Sequence, residues 1–140
     1  MKMKTILFLT LAALLVMAAC NASPSTPSLA GSQWKLVSYG PADTPVTAAP
    51  DVETSLVFGT DGTVSGNMGC NSFGGNYKQE GDGLTISQLI STMMACQEPR
   101  MSQETDTLTM LSGTLTVKLE GDTLTLITKD GAKKMELVRN

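Results

Sequence analysis

The clearest pattern in the chain lies in its last third, where apolar and polar positions alternate one for one. Residues 113–119 set Leu115, Val117 and Leu119 against Thr114, Thr116 and Lys118. Glu120-Gly121-Asp122 turns this run into residues 123–128, with Leu124 and Leu126 on one face. Lys129-Asp130-Gly131 then turns into residues 133–138. A period of two with Thr on the outer face is the mark of half-buried antiparallel strands, so the pattern predicts a three-stranded meander.

Shorter alternating runs precede it. Residues 33–39 place Trp34 and Leu36 on one side and lead into a Pro- and Ala-rich loop, 40–50. Residues 54–58 carry Leu56 and Phe58 on one face and turn at Gly59-Thr60-Asp61-Gly62 into 63–67. A stretch dense in Gly and Asn follows from Met68 to Tyr77, and Gly81-Asp82-Gly83 turns into a strand at 84–87. Residues 99–111 break the period of two. Met101, Leu108 and Leu111, with Thr105 between them, fall on one helical face, and Pro99 and Gly113 suit the two ends of a helix. Thr105, Thr107 and Thr109 are poor helix formers, so packing of the Met101/Leu108/Leu111 stripe on a sheet has to hold the helix in place. The expected fold class is α+β: a curved antiparallel sheet or partial barrel of about six to eight short strands with one packed helix.

The longest apolar run is elsewhere. Residues 6–19 are apolar except for Thr10 and follow Met1-Lys2-Met3-Lys4. A basic start, an apolar stretch too short for the roughly 20 residues of a membrane span, and small residues at its end read as a signal peptide over residues 1–19. Val16-Met17-Ala18-Ala19-Cys20 resembles a bacterial lipobox, which implies cleavage before Cys20 and acylation of that residue. Met17 is less usual there than leucine. Two or more acyl chains hold a protein stably to a membrane, whereas one does so only marginally. Residues 20–30 then read as the lipidated cysteine and a Ser/Pro-rich tether. In Gram-negative lipoproteins an Asp after the cysteine favours the inner membrane. Asn21 stands there instead, so the expected address is the periplasmic face of the outer membrane, or the outer face of the cell membrane in a Gram-positive source.

Composition narrows the partners. Without Lys2 and Lys4 the chain keeps 8 basic against 13 acidic residues, a formal charge of −5, which does not favour nucleic acid. Residues 31–139 suffice for one core. With three cysteines and no histidine, assigning Cys20 to lipid leaves Cys70 and Cys96 as a pair. Two thiols in an oxidising compartment tend to form a structural bridge, worth roughly 3.5 kcal/mol in the chain-entropy estimate. A redox-active or metal-binding pair is the sharper alternative, but there is no CxxC and no third soft ligand. No metal or cofactor is expected.

The segment Val64-Ser65-Gly66-Asn67-Met68-Gly69-Cys70-Asn71-Ser72-Phe73-Gly74-Gly75-Asn76-Tyr77, with Leu84-Thr85-Ile86 and Ser91-Thr92-Met93-Met94-Ala95-Cys96, resembles the signature of the META domain of HslJ-type envelope proteins. The resemblance extends to Trp34-Lys35-Leu36, to Glu104 and to the closing meander, and spans nearly all of residues 31–139. It implies an envelope setting and a link to stress, secretion or motility, but no common biochemical activity. Two readings of the signature stay open. Its glycines and asparagines can build a kinked corner that brings Cys70 beside Cys96. Alternatively, Asn67, Asn71, Ser72 and Thr92 line a polar binding patch.

For function, the absence of histidine removes the commonest general base and metal ligand. Asp61, Asp82, Asp122 and Asp130 all fall in turns, and no catalytic motif is present. The expectation is a non-enzymatic, monomeric envelope lipoprotein that binds another envelope component in a stress-related role. A ligand-binding or inhibitor-like small barrel, using the 40–50 loop, is the second reading. A thiol oxidoreductase using Cys70 and Cys96 is the third.

Overall fold

The structure is a computed structural model that describes residues 26–140. The signal peptide expected over residues 1–19, Cys20 and the start of the tether lie outside the described residues.

Among the described residues there are nine strands and one helix: β1 (Ser32–Pro41), β2 (Val46–Thr47), β3 (Ser55–Phe58), β4 (Thr63–Asn67), β5 (Ser72–Glu80), β6 (Gly83–Ser91), α1 (Arg100–Leu111), β7 (Thr114–Glu120), β8 (Thr123–Thr128) and β9 (Lys133–Arg139). All pairings are antiparallel. The order is β2-β1-β3-β4-β5-β6-β7-β8-β9, and β9 returns to pair with β1 from Trp34↔Arg139 to Pro41↔Lys133. This pairing closes an 8-strand barrel, with β2 as an extra strand beside the second half of β1. The α+β small barrel expected from the sequence is therefore present, and the sheet is closed rather than partial. The closing pair joins the two ends of the domain, a contact that local periodicity does not report.

The period-two pattern fills the barrel. Leu115, Val117, Leu124, Leu126, Met135 and Leu137 point inward from β7–β9 and meet Trp34, Leu36, Leu56, Phe58 and Val64 in one core. Phe58 and Tyr77 pack edge to face, ring centroids 5.0 Å apart. In β1 the alternation slips between Leu36 and Ser38, where the register with β9 shifts, so that Ser38, Tyr39 and Gly40 are buried in succession. A bulge of this kind bends the strand and lets one long strand serve two neighbours on one edge, β3 and then β2.

Both barrel ends are stoppered. At one end Leu29, from the segment read as tether, is fully buried. Its N–H donates to Gln79 Oε1 at 2.9 Å, while the Trp34 indole donates to Ser32 Oγ at 2.7 Å and Ser32 Oγ donates to the Leu29 carbonyl. The folded domain thus begins before Gly31. At the other end sits α1, packed beside β1 and against the Gly/Asn-rich segment.

The helix lies where residues 99–111 predicted, but with a different face inward. Gln103, Glu104, Thr107, Met110 and Leu111 are buried; Met101 and Leu108 are half-buried and Thr105 is exposed. Of the expected Met101/Leu108/Leu111 stripe, Leu111 is fully buried and Leu108 packs on the core, but Met101 is only half-buried and Thr105 points outward, because the buried face in the first turns is shifted onto Gln103, Glu104 and Thr107. The first turns of the inner face meet backbone rather than apolar side chains, so their buried residues are polar.

Candidate functional site

The Gly/Asn-rich signature forms a corner between β4 and β5, roofed by α1 and by the 92–99 linker that leads from β6 into the helix. Asn67 starts it. Its Oδ1 accepts the Gly69 N–H at 2.9 Å and its Nδ2 donates to the Cys70 carbonyl at 3.1 Å, so the turn is built on one side chain. Gly69 lies against the helix: a Cβ placed there would stand 2.3 Å from the Arg100 carbonyl oxygen and 3.0 Å from Glu104 Cβ. Only a residue without a side chain lets α1 approach this closely.

Asn71 is the hub. Its Oδ1 accepts the Met94 N–H at 2.7 Å and the Thr92 hydroxyl at 2.9 Å. Its Nδ2 donates to Glu104 Oε1 at 2.7 Å and to the Met94 carbonyl at 3.2 Å. Glu104 Oε2 in turn accepts the Cys70 N–H at 2.7 Å and the Asn71 N–H. One helix residue earlier, the fully buried Gln103 accepts the Ala49 N–H through Oε1 and donates from Nε2 to the Met68 carbonyl, both at 2.7 Å. The Thr107 hydroxyl returns to the Gln103 carbonyl at 2.7 Å. Cys70 and Cys96 are joined in a disulfide with Cα atoms 5.9 Å apart, closing a 26-residue separation across this corner.

Of the residues singled out as a possible patch, Asn67, Asn71, Ser72 and Thr92 are brought together here. Asn71 is buried, and its donors and acceptors are all directed inward, as are those of Asn67. Thr92 supports Asn71 from the exposed linker, and its N–H donates to the Ser72 carbonyl at 3.0 Å. Ser72 itself is exposed. An apolar stripe does not single out Gln103 and Thr107, which are polar; the i, i+1, i+4 spacing of Gln103, Glu104 and Thr107, running on into Met110 and Leu111, is the signal that marks the buried face.

Beside the disulfide, residues 49–52 and 96–100 line an open cleft of about 460 Å³. Arg100 Nη2 donates to the Asp51 carbonyl at 3.3 Å across it. The Glu98 carboxylate accepts the Ser102 hydroxyl at 2.6 Å and the Ser102 N–H at 3.0 Å, capping the first turn of α1. The Ser102 hydroxyl, and then its N–H, hold the Glu98 carboxyl below its ordinary value. Tyr39 is held above the ordinary tyrosine range, first by burial and then by the charges of Asp106 and Glu98. Among the described residues, no three His, Cys, Asp or Glu side chains gather as metal ligands.

The family model described as "META domain" matches residues 27–139. The chain belongs to the META domain family. Its matched region begins beside Leu29, in agreement with the buried start of the barrel. No curated protein matches the chain. Among solved structures, an NMR structure of a protein from Burkholderia xenovorans is similar at TM-score 0.68 and 21% identity, covering 89% of this chain and 99% of that one. A second NMR structure is similar at TM-score 0.62 and 26% identity over 81% and 96%. A DUF4847 family protein from Bacteroides vulgatus follows at 0.60 and 14% over 80% and 94%. The first and third likenesses bear on fold alone. They place the META barrel among solved small barrels without assigning it a reaction.

Proposed function

We propose that this META domain is a lipid-anchored cell-envelope module that binds another envelope component and does not turn over a substrate. The observation that carries the binding reading is the saturation of the corner. Both side-chain polar atoms of Asn71 and both oxygens of Glu104 are spent on bonds within the corner, while the linker beside them exposes large apolar side chains: Met93 is 96% exposed and Met94 58%. A corner so built presents a fixed surface and offers no free acid, base or nucleophile. The leader and the Cys20 lipobox support the anchor, the −5 charge disfavours nucleic acid, and Asn21 supports the outer-membrane address. A role in envelope stress is what the family link adds.

The barrel interior supports this over an enclosed-ligand reading, because Trp34, Leu56, Phe58, Leu84, Leu124 and Leu137 fill it. The 40–50 loop is also tied down, by β2 on β1 and by the Ala42 and Ala48 N–H groups donating to the Ala132 and Val37 carbonyls.

Two experiments test the proposal. Cys20→Ala should move the protein from the membrane to the soluble envelope fraction; persistence in the membrane removes the anchor. Crosslinking in intact cells should recover a defined envelope partner. Recovery of none, together with turnover of some substrate, overturns the binding reading.

A further inference from the structure

We propose that the free edge of β6, residues 87–91, receives an extended, apolar and uncharged strand of a partner polypeptide. This deepens the binding reading and rests on it for the partner being protein.

β6 is nine residues long and pairs with β5 from Gly83 to Ser91. On its other side it pairs with β7 only over residues 83–85, and the last tie is the Ile86 N–H donating to the Gly113 carbonyl at 2.9 Å. Gly113 is where the chain emerges from α1, so the strand that would continue the pairing is replaced by the helix. Among the described residues, no strand lies against residues 87–91 on this side. An unpaired edge is a template for another chain, and proteins blunt it with a bulge, a covering element, charge or proline; a bulge is present at Gln88, which leaves charge or proline to guard the residues beyond it. Here Ser87-Gln88-Leu89-Ile90-Ser91-Thr92-Met93-Met94-Ala95 contains neither. Ile90, Met93 and Met94 are all exposed, Ile90 by 74%.

The edge is also held in shape. Gln88 sits at φ +53° where the β5–β6 register shifts, and its Oε1 accepts the Asn76 Nδ2 at 2.5 Å. Beyond it Thr92 is tied to the Ser72 carbonyl, Met94 to Asn71, and Cys96 to Cys70. The corner network therefore has a use: it fixes the line of backbone that continues the edge. A strand added to such an edge gains main-chain hydrogen bonds from its own amides and selectivity from side chains on alternate positions.

Chain geometry selects polypeptide over lipid as the occupant. The chain enters the domain at the opposite end of β5 and β6, where Gln79 holds Leu29 and Pro27. Five residues separate Cys20 from Thr26, six chain steps with a reach of at most about 20 Å. Ser91 lies eight residues up the strand from Gly83, about 26 Å away. A lipid on Cys20 keeps the Gly83 end near the membrane and the Ser91 end toward the aqueous phase. A second copy carries the same net negative charge, which opposes self-pairing.

The test uses the mature, lipid-anchored chain in zwitterionic nanodiscs and, as probe, an alternating Thr-Val octapeptide, with the same peptide N-methylated at every second amide. The plain peptide should bind saturably and slow amide exchange at Leu89 and Ser91. N-methylation of the peptide, or Ile90→Lys in the protein, should weaken binding by roughly tenfold or more. Val37→Lys, an exposed apolar site on β1, should leave it unchanged. Equal binding of both peptides, or no binding at millimolar concentration, overturns the proposal. So does protection of Leu89 and Ser91 by lipid alone, or a dimer that Ile90→Lys dissociates. If crosslinking recovers the same envelope partner with wild type and with Ile90→Lys, the edge is wrong while the binding-module reading stands.

Discussion

Asn71 and Glu104 are joined twice, the Asn71 backbone N–H donating to Oε2 and its side-chain Nδ2 to Oε1 at 2.7 Å. One carboxylate thereby fastens α1 to the β4–β5 corner, and it also takes the Cys70 N–H. Glu104→Gln keeps the volume but turns one acceptor oxygen into a donor. If that donor faces the corner, the Cys70 and Asn71 N–H groups lose their acceptor; if the amide flips, Asn71 Nδ2 does. At about 1–3 kcal/mol for each orphaned group, the loss should reach roughly 3 kcal/mol. For a domain of this size the melting temperature should then fall by roughly 10 °C. A thermal melt by circular dichroism checks it, and an unchanged melt would show that Glu104 is not holding the corner.

Two glycines of the same string should behave differently. Gly69 stands where a Cβ would meet the Arg100 carbonyl at 2.3 Å, whereas the nearest atom to a Cβ at Gly74 is the Val64 carbonyl oxygen at 3.9 Å. Gly69→Ala should push the start of α1 outward and cost about 1–3 kcal/mol, the usual range for overpacking. Gly74→Ala should be neutral or slightly stabilising, because it restricts the unfolded chain without a clash. Urea unfolding of the two variants side by side measures the difference. Equal losses would mean that the string needs glycine for a reason other than helix approach.

How far the sequence reaches differs between elements. The β7–β9 meander was legible because each strand is half-buried, so Leu115/Val117 and Leu124/Leu126 alternate cleanly with Thr and Lys. Helix α1 was legible as a helix but not in its orientation. Its inner face opens with Gln103, Glu104 and Thr107, which satisfy backbone groups of the corner, while Met101 and Leu108 are only half-buried. Barrel closure by β1 and β9 depends on residues about a hundred positions apart, which no local period reveals. The Cys70–Cys96 pair followed from cysteine parity, but the role of Asn71 did not. Only its four side-chain hydrogen bonds, to Thr92, Met94 and Glu104, show that the side chain is spent on structure.

The disulfide should matter for stability more than for fold. The residues it joins are already positioned by Asn71, Glu104 and Thr92, so Cys96→Ser should retain the barrel. The chain-entropy estimate for the loop is roughly 3.5 kcal/mol. The variant, or wild type with reductant, should melt lower with an unchanged far-ultraviolet spectrum. A melt insensitive to both would mean that the bridge does not form in the protein.

The last prediction concerns the start of the barrel. Leu29 is fully buried in the core cluster, although it sits at the end of a Ser/Pro-rich stretch that otherwise reads as tether. Its backbone is held on both sides, its N–H by Gln79 and its carbonyl by Ser32, which in turn takes the Trp34 indole. Removing the side chain leaves a hole at the mouth of the barrel beside the one tryptophan of the chain. Leu29→Ala should therefore cost about 2–5 kcal/mol, in the range of buried Leu truncations, and should shift the Trp34 fluorescence as water reaches the indole. Ser28→Ala, one residue away and exposed, should change neither. If Leu29→Ala melts like wild type, the barrel closes without its stopper, and residues 26–30 belong to the tether after all.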